Sequence, residues 1–178
     1  MSYSESFDNT LIEYISSIPN REGAGKTEGD TLYERHPLKR VIDEMPGGFF
    51  IYRADESEEI IYANKALFRI FGCETEDEFR ALTGNSFKGI VYSEDYQAVE
   101  ESIKEQILQS QYDLDYVEYR IVNKNGEIRW IEDYGHYIYS KEAGGLFYVF
   151  AGDATEKRQR QREVLRTINQ EHLRRLAM

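Results

Sequence analysis

The sequence predicts an α+β fold in which one five-stranded antiparallel sheet carries helices on one face. Strand-like segments stand at both ends of a helical stretch, in the order strand, strand, three helices, three strands. The dipeptide Asn125-Gly126, which favours tight hairpin turns, separates two long strand-like segments. With 40% hydrophobic residues, the chain of 178 residues has enough apolar material for one packed domain with extensions.

The N-terminal segment predicts a helix and a linker ahead of the domain. Apolar residues recur at helical spacing over residues 7–18, and Pro19 ends that helix. The polar, Gly-rich residues 20–30 predict a flexible linker. Its Gly25-Lys26-Thr27 lacks the upstream glycine and the preceding strand of a phosphate-binding loop, so we expect no nucleotide site there.

A second helix and two strands open the predicted domain. The strands are expected at residues 49–52 and 60–63, separated by an acidic, exposed turn. Asn64 follows at a helix N-cap position, where its side chain can accept a hydrogen bond from a free amide. The helix before them, over residues 32–45, is expected to carry Pro37 in its first turn and Leu38, Val41, Ile42 and Met45 on one face, where it can cover the second face of the sheet.

Three helices are predicted between the two parts of the sheet. The first follows Asn64, and the second begins at a capping box formed by Thr75 and Glu78. The third and longest begins at Ser93 or Asp95. Its apolar face consists of Val99, Ile103, Ile107 and, less regularly, Tyr96.

A loop and three strands complete the predicted sheet. Residues 83–92, around Gly84-Asn85, predict a loop before the long helix. Strands are expected at residues 112–124, 127–140 and 146–152, with Asn125-Gly126 as the tight turn of the first hairpin.

A charged helix follows the last strand without an intervening loop. Asp153 or Thr155 is expected to cap it, and Asp153 can also pair with a basic residue. A ragged three-to-four spacing suits a short two-stranded coiled coil, and a helix that folds back on its own domain is the alternative. The residues with that spacing are Val164 or Leu165, Ile168, His172 and Leu176.

Charge and cysteine content exclude several classes of protein. The net charge of −11 argues against nucleic-acid binding by the body of the domain. After residue 155, basic residues outnumber acidic ones by seven to three, which we interpret as a solvated helix that awaits a partner. The lone Cys73 excludes an internal disulfide and a multi-cysteine zinc site. Without a signal peptide or a long apolar segment, a cytoplasmic location is expected.

Six segments, in this order, resemble the PAS domain family of sensory modules, and the resemblance covers roughly residues 38–158. In chain order, the first segment leads into the first strand, and the second contains the second strand and its Asn-capped helix. The third forms a corner of two helices, the fourth and fifth belong to the paired strands, and the sixth is the motif at which the chain leaves the domain. The segments are Pro46-Gly47-Gly48-Phe49, Ile61-Tyr62-Ala63-Asn64-Lys65-Ala66, residues 71–79, Val117-Glu118-Tyr119-Arg120, Asn125-Gly126-Glu127-Ile128-Arg129-Trp130 and Asp153-Ala154-Thr155-Glu156.

The resemblance implies a sensor that lacks catalysis of its own. It implies a homodimer joined through flanking helices, and a signal that passes through Asp153 and Thr155 to a diguanylate cyclase (GGDEF) or histidine kinase domain outside this chain. The corresponding division is an N-terminal helix and linker at 1–30, a PAS domain at 31–155 and a connector helix at 156–178. A ligand-free protein-interaction domain is the alternative, and a haem sensor is the least favoured hypothesis.

The family's pocket between sheet and helices implies a small organic ligand, with a closed core as the alternative. Flavin photochemistry is not expected, because Ser86 stands near the position of the reactive cysteine. Haem is not expected either, since His136 is the one histidine placed to face a pocket, and neither a metal cluster nor a catalytic set is predicted. The ligand itself is left open. The candidate lining residues are Phe68, Phe87, Val99, Ile103, Trp130, His136, Tyr148 and Phe150.

Overall fold

The protein is described by a computed structural model that covers residues 37–141 and 143–177. The predicted helix at 7–18, the linker at 20–30 and the start of the helix at 32–45 lie outside the described residues. The elements, in chain order, are α1 (Pro37–Asp43), β1 (Gly48–Arg53), β2 (Ile60–Ala63), α2 (Lys65–Ile70), α3 (Glu76–Thr83), α4 (Phe87–Ile90), α5 (Tyr96–Gln109), β3 (Leu114–Val122), β4 (Ile128–Ser140), β5 (Gly144–Asp153) and α6 (Thr155–Leu176).

The five strands form one antiparallel sheet in the order β2-β1-β5-β4-β3, which confirms the predicted fold class. The chain leaves the sheet after β2, forms four helices and returns at the opposite edge with β3. β5 then closes the sheet by pairing with β1 and β4. The last strand is therefore central, and α6 leaves the domain from the middle of the sheet.

The inner face of the sheet carries the main core, which is formed with helices α2 to α5. Residues of alternating parity along each strand point inward, as expected for a strand buried on one side. In β3 and β4, these inward positions include Val117, Tyr119, Ile121 and Ile131. They pack against apolar side chains of the helices, among them Leu67, Phe68, Phe79, Phe87, Val99 and Ile103.

The outer face is covered by α1 at the end of the sheet that contains β1 and β2. Ile42 of α1 packs against Ile51, Tyr62 and Leu146 in a second, smaller core. The prediction that an N-terminal helix covers this face is correct for α1, although Val41, expected on its apolar side, is exposed. Towards the β3 edge, the outer face leaves large side chains exposed, namely Leu114, Tyr116 and Tyr134.

Asn64 is the residue that joins α1, β1 and α2. It is fully buried, and its Oδ1 accepts hydrogen bonds from the amides of Leu67 (3.0 Å) and Phe49 (2.9 Å). Its Nδ2 donates to the carbonyl oxygens of Ile42 (2.9 Å) and Gly47 (3.1 Å). The predicted N-cap is therefore confirmed, and the same side chain also fixes the entrance of the first strand.

Two local predictions were wrong because short loops contain more regular structure than their composition indicates. The predicted loop at residues 83–92 contains α4, whose N-cap Ser86 accepts a hydrogen bond from the Gly89 amide. The hairpin turn is centred one residue earlier than predicted, since the Gly126 amide donates to the Asn123 carbonyl oxygen. Gly126 then adopts a left-handed conformation with φ of 79°, which is the geometry of a three-residue loop with a bulge.

Of the two hydrogen bonds expected for the capping box of α3, one is present. Thr75 Oγ1 accepts a hydrogen bond from the Glu78 amide, but the Glu78 carboxylate accepts from the Glu74 amide rather than from the cap residue itself. No helix among the described residues is long and apolar enough to cross a membrane.

Candidate ligand cleft and signalling junction

A cleft of about 500 Å³ opens on the inner side of the fold, between the β1–β2 loop and helix α5. Its floor is formed by Tyr52 of β1 and Phe147 of β5, and one wall by Phe87 of α4. The rest of the lining is more polar and comes from the loop and from α5, and it consists of Arg53, Ala54, Asp55, Glu56, Glu58, Tyr96, Glu100, Ile103 and Lys104. This volume is typical of small-ligand sites.

Three aromatic rings form a continuous stack at the floor of the cleft. The Tyr52 ring lies 4.6 Å from the Phe87 ring and 5.0 Å from the Phe147 ring, with nearly parallel planes in both pairs. Such offset stacks add stabilisation beyond the area that they bury. The stack gives the cleft an apolar, rigid floor that can receive a flat or aliphatic group.

Glu58 places a carboxylate at the inner end of the cleft. Its Oε1 accepts a hydrogen bond from the Tyr96 hydroxyl at 2.8 Å. Its Oε2 is buried and has no hydrogen-bond partner among the described residues. Burial raises the pKa of Glu58, because the charged form loses its hydration. The Lys88 backbone amide lies close enough to this carboxylate to oppose the rise in its pKa, so a group that enters the cleft must reach a buried oxygen beside that amide.

Two buried aspartates lie behind the floor, on the inner face of β3 and β4. Asp115 is 6% exposed and Asp133 is 1% exposed. The Asp115 carboxylate lies over Gly135, the residue opposite it in the ladder, where a Cβ would come within 2.3 Å of Oδ1. Both Asp115 oxygens lack a hydrogen-bond partner within the described part of the chain, whereas Asp133 Oδ2 accepts from the Tyr119 hydroxyl at 2.6 Å.

Burial shifts the titration of these groups strongly. It raises the pKa of Asp115 to about 6 and, with the Asp115 charge as a smaller contribution, the pKa of Asp133 to about 8. The pKa of Tyr52 is also raised, first by burial and then by the charges of Asp133, Asp115 and Glu58. The Tyr52 hydroxyl thus lies within electrostatic range of both the buried pair and the cleft carboxylate.

The sequence-predicted lining residues divide between the two faces of the sheet. Phe87 and Ile103 line the cleft. Phe68 and Val99 are buried in the same inner core but do not border the cleft itself. These four residues share one face, and two of them are brought to one cavity.

The other four candidates lie on the outer face, so the structure does not bring them to the cleft. Trp130, His136, Tyr148 and Phe150 are in register with outward residues of neighbouring strands, for example Arg120 opposite Trp130 and Tyr148 opposite His136. The physical reason is strand parity, because Ile131 and Asp133 point inward and their neighbours must point outward. His136 is exposed there, and whether any of the eight residues contacts a ligand stays a prediction.

The junction between β5 and α6 is tied to β4 by hydrogen bonds. Thr155 Oγ1 accepts from the Trp130 amide (2.9 Å), and the Ala154 amide donates to the Trp130 carbonyl oxygen (2.8 Å). Asp153 Oδ1 accepts from both the amide and the hydroxyl of Thr155, and its Oδ2 accepts from Arg129. The N-cap position is Ala154, so the expectation that Thr155 caps the helix was wrong, while the pairing of Asp153 with a basic residue is confirmed.

The first turn of α6 lies on the outer face of the sheet. Lys157 contacts Glu132, and Arg158 contacts Glu118. The Arg158 guanidinium also lies 3.6 Å from the centre of the Trp130 ring. Beyond this turn the helix is exposed, and none of its residues is buried.

A chain of contacts joins α5 to α6 across the edge of the sheet. Asp95, at the start of α5, accepts hydrogen bonds from the Arg120 amide (3.0 Å) and guanidinium (2.5 Å and 3.0 Å). Arg120 lies 6.0 Å from the centre of the Trp130 ring, and Trp130 in turn lies beneath Arg158. These contacts hold the Asp95 pKa below its usual range, with the Arg120 hydrogen bond as the largest cause.

Sequence reasoning missed the acidic residues of the inner face. Asp115 and Asp133 were not predicted to be buried, although both share strand parity with inward apolar neighbours such as Val117 and Ile131. That parity was the available signal. In the described ranges, no group of three His, Cys, Asp or Glu side chains is arranged to hold a metal ion.

Comparison with known proteins agrees with this geometry. The family described as PAS fold matches residues 60–149, about half of the chain. A search of curated protein sequences gives no match. Many solved structures are similar, and three of them have TM-scores above 0.5 over two thirds or more of this chain.

One similar structure is a sensory box histidine kinase/response regulator from Burkholderia thailandensis E264, with 20% identity and a TM-score of 0.53 over 79% of this chain and 99% of that one. Another is the PAS domain of a protein from Colwellia psychrerythraea, with 21% identity and a TM-score of 0.52 over 67% and 95%.

A third is an RNA-binding light-oxygen-voltage receptor, with 18% identity and a TM-score of 0.55 over 85% of this chain and 42% of that one. At these identities the likeness shows a shared fold. The family match, the sheet order and the helices on the inner face agree with one another. The chain belongs to the PAS-fold family, and its domain is a PAS sensory domain.

Proposed function

We propose that this PAS domain is the sensory and dimerisation module of a bacterial, cytoplasmic signalling protein. In this proposal it performs no catalysis and binds no nucleic acid. It senses a small organic ligand in the inner cleft and passes the signal through Asp153 and Thr155 to α6. The output domain, a diguanylate cyclase or a histidine kinase, lies outside this chain.

The observation that carries the proposal is the passage from the central strand into an exposed helix without a loop. The last ladder pair, Ile131 with Asp153, is followed directly by the hydrogen bond between the Trp130 amide and Thr155. A change in the position or twist of β4 and β5 must therefore move the first turn of α6. β5 also carries Phe147, which forms part of the cleft floor.

The contacts from α5 to α6 provide a second connection. α5 forms one wall of the cleft through Tyr96, Glu100 and Ile103, and Asp95 at its start binds Arg120. A ligand that displaces α5 changes the Arg120 contact and, with it, the environment of Trp130 and Arg158. Because a ligand shifts an equilibrium only by its differential affinity for two states, this proposal requires that the cleft differs between them.

The test fills the cleft covalently and measures α6, so it does not need the natural ligand. Lys104→Cys places a thiol on the cleft wall, and N-benzylmaleimide then delivers an aromatic group into the cleft. Cys73 is buried with a pKa raised by burial, so it is expected to react slowly. We expect the benzyl adduct to change hydrogen exchange in the first two turns of α6 by about threefold or more.

The matched control is Glu105→Cys, one residue further along α5 and outside the cleft lining. Its benzyl adduct is expected to leave α6 exchange unchanged, as is the Lys104→Cys variant before alkylation. Equal exchange in α6 with the filled and the empty cleft would contradict the proposal.

Dimerisation through α6 is part of the same proposal. Five large apolar side chains are more than half exposed along the helix, namely Val164, Leu165, Ile168, Leu173 and Leu176. Their three-to-four spacing, interrupted by His172, gives a narrow apolar stripe suited to a second copy of the helix. A stripe with polar breaks forms a weak pair, which suits an element that must rearrange.

Light scattering tests the dimer. We expect the chain to be dimeric at tens of micromolar, and Leu165→Glu together with Ile168→Glu to make it monomeric. The matched control, Gln161→Glu with Gln170→Glu, adds the same charge at exposed positions that lack the apolar side chains and is expected to stay dimeric. A monomeric parent chain would contradict dimerisation.

A ligand-free protein-interaction domain remains the second candidate function, and the outer face is the observation that favours it. Tyr116 and Tyr134 are exposed there, and their rings lie 4.9 Å apart. Together with Leu114 they form an apolar surface near the β3 edge. Under this alternative, the filled cleft would leave α6 unchanged, whereas Tyr134→Ser would weaken binding of a protein partner.

A further inference from the structure

We propose that the inner cleft binds an organic cation, an ammonium group carried on an apolar or aromatic body, with the Glu58 carboxylate as its direct counter-ion. The inference rests on the proposed function, because it names the ligand class of the same cleft. Three independent features of the structure lead to it: the charges of the lining, a buried carboxylate without a partner behind the floor, and the aromatic stack.

The first feature is the charge of the lining. Four acidic side chains border the cleft, namely Asp55, Glu56, Glu58 and Glu100, against the two basic side chains of Arg53 and Lys104. Arg53 pairs with Glu59 (3.1 Å) and Lys104 with Glu100 (2.5 Å). Both positive charges at the rim are therefore already matched, and the remaining acidic side chains are the exposed Asp55 and Glu56 of the β1–β2 loop and the partly buried Glu58.

The second feature is the row of carboxyl groups on the inner face. Asp115 is more than nine-tenths buried, both its oxygens lack a partner within the described ranges, and it lies one ladder row from Tyr52. An unpaired buried carboxylate is unfavourable unless a positive charge or a proton compensates it. A cation held against Glu58 adds a positive charge to the same group of side chains, because Tyr52 lies within electrostatic range of both Glu58 and Asp115.

The third feature is the aromatic floor. The stacked rings of Tyr52, Phe87 and Phe147 can pack against the body of a ligand, and aromatic faces also attract a cation held near them by about 0.5–2 kcal/mol. The two basic side chains that line the cleft are paired with acids, and the Lys88 ammonium group lies 5.3 Å from the centre of the Tyr96 ring, so an anion would meet the carboxylates with Lys88 as the nearby base. The arginines elsewhere do not change this, since Arg120 pairs with Asp95 and Arg129 with Asp153 on the outer side of the fold.

The chemistry of recognition follows from these three features. The ammonium group donates to Glu58 Oε2, the oxygen that Tyr96 leaves free, and the apolar body lies on the aromatic stack. Glu58 keeps its Tyr96 hydrogen bond throughout, so the receiving oxygen is held in place before the ligand arrives.

Three probes of similar size and different charge test the inference. Phenethylamine carries an ammonium group at neutral pH, phenethyl alcohol is its neutral analogue, and phenylacetate carries a negative charge. Titration calorimetry on the whole chain is expected to show phenethylamine binding about tenfold or more tighter than either of the others. Binding of phenylacetate or of the alcohol with equal or higher affinity would overturn the inference, as would no phenethylamine binding at several millimolar.

Two substitutions then locate the charge. Glu58→Gln keeps the shape and the Tyr96 hydrogen bond but removes the charge, and it is expected to weaken phenethylamine about tenfold without changing the alcohol. Asp115→Asn is expected to weaken it less, about threefold, because it acts through the field. The matched control Glu101→Gln, on the exposed side of α5, is expected to have no effect. Phenethylamine binding that is insensitive to Glu58→Gln would overturn the assignment.

Failure of this inference can be told apart from failure of the proposed function. The benzyl adduct at residue 104 carries no positive charge, so its effect on α6 does not depend on the ligand's charge. Preferred binding of the ammonium probe without any change in α6 would contradict signal relay and keep the ligand class. A response of α6 to the adduct without ammonium preference would contradict the ligand class alone.

Discussion

The two faces of the sheet differ in how they are covered and in whether their acidic side chains are paired with basic ones. The inner face is covered by four helices, holds acidic groups with raised pKa values and borders the cleft between the β1–β2 loop and α5. The outer face is covered by α1 at one end and by the first turn of α6 at the other, where acidic groups pair with bases. The inner face holds buried carboxyl groups that have no basic partner among the described residues, whereas on the outer face carboxylates form ion pairs with Lys157 and Arg158.

This difference assigns separate tasks to the faces. Charge that is buried without a partner makes the inner face responsive to protons and to cations. Charge that is paired at the surface, as in Glu118 with Arg158, holds α6 weakly, because exposed ion pairs contribute less than about 1 kcal/mol each. A weakly held output helix on a strongly packed sensor can rearrange without unfolding the domain.

The largest expected contrast is between an aromatic ring on each face. Phe87→Ala removes one ring of the inner stack, which is 1% exposed, and is expected to lower the free energy of unfolding by about 3–5 kcal/mol. Tyr134→Ala, at a position 53% exposed on the outer face, is expected to lower it by less than about 1 kcal/mol. Urea denaturation measures both, and similar losses would show that the outer face is as well packed as the inner one.

Asn64 tests the connection between the faces. Asn64→Ala removes the side-chain partner of two amides and of the Gly47 carbonyl oxygen, while the Ile42 carbonyl oxygen keeps its bond from the Met45 amide, so the expected loss of stability is about 2–4 kcal/mol. Asn64→Asp keeps both acceptor bonds but loses the two donors, and it is expected to lose a comparable amount by placing a charge beside two carbonyl oxygens. A fully stable Asn64→Asp would mean that the Nδ2 bonds to Ile42 and Gly47 do not matter.

The buried aspartates predict a stability that falls as pH rises. A carboxyl whose folded pKa is raised keeps its proton in the native state after the unfolded chain has lost it. Asp115 contributes between about pH 4 and 6, and Asp133 between about pH 4 and 8, which sets the window. The groups that face this pair are Tyr119 of β3 and Tyr52 of β1, whose own pKa values lie above the window.

Melting temperatures measured at intervals from pH 5 to pH 8 check this prediction. The parent chain is expected to melt at progressively lower temperature as pH rises. Asp133→Asn keeps an acceptor for the Tyr119 hydroxyl and is expected to remove the slope between about pH 6 and 8. An unchanged slope in the variant would show that Asp133 is not the titrating group.

The smallest expected effect belongs to the junction. Thr155→Val removes the acceptor for the Trp130 amide and is expected to cost about 1 kcal/mol. Its main effect is local, since hydrogen exchange in the first turn of α6 should become faster while the strands stay protected. Thr155→Ser keeps the hydroxyl and serves as the control. A general loss of protection across the sheet would instead make Thr155 a structural residue of the domain.

The secondary-structure elements were predicted better from the sequence than the residues that line the cleft. The order of strands and helices along the chain and the Asn64 cap follow from local signals, namely alternation and N-cap chemistry. The placement of Trp130, His136, Tyr148 and Phe150 did not follow, because the outer face is also rich in apolar residues and alternation cannot tell which face the helices cover. α4 was missed because four residues do not show a helical period.

The buried acids illustrate a different difficulty. Composition predicts that aspartate is exposed, and this expectation outweighed the strand parity of Asp115 and Asp133. A small residue opposite an acid was the additional signal, because Gly135 leaves the space that the Asp115 carboxylate occupies. Residues that depart from the usual pattern, such as a buried aspartate, are often found at functional sites, and Asp115 and Asp133 lie behind the cleft.

The central claim, that the inner cleft controls α6 across the sheet, is tested most directly by the fluorescence of Trp130. It is the one tryptophan in the sequence, and the Arg158 guanidinium lies against its ring on the outer face. The account predicts that the benzyl adduct of Lys104→Cys changes the emission and acrylamide quenching of Trp130 in the direction produced by Arg158→Gln, whereas the Glu105→Cys adduct does not. Identical Trp130 emission and quenching with the cleft filled and empty would contradict it.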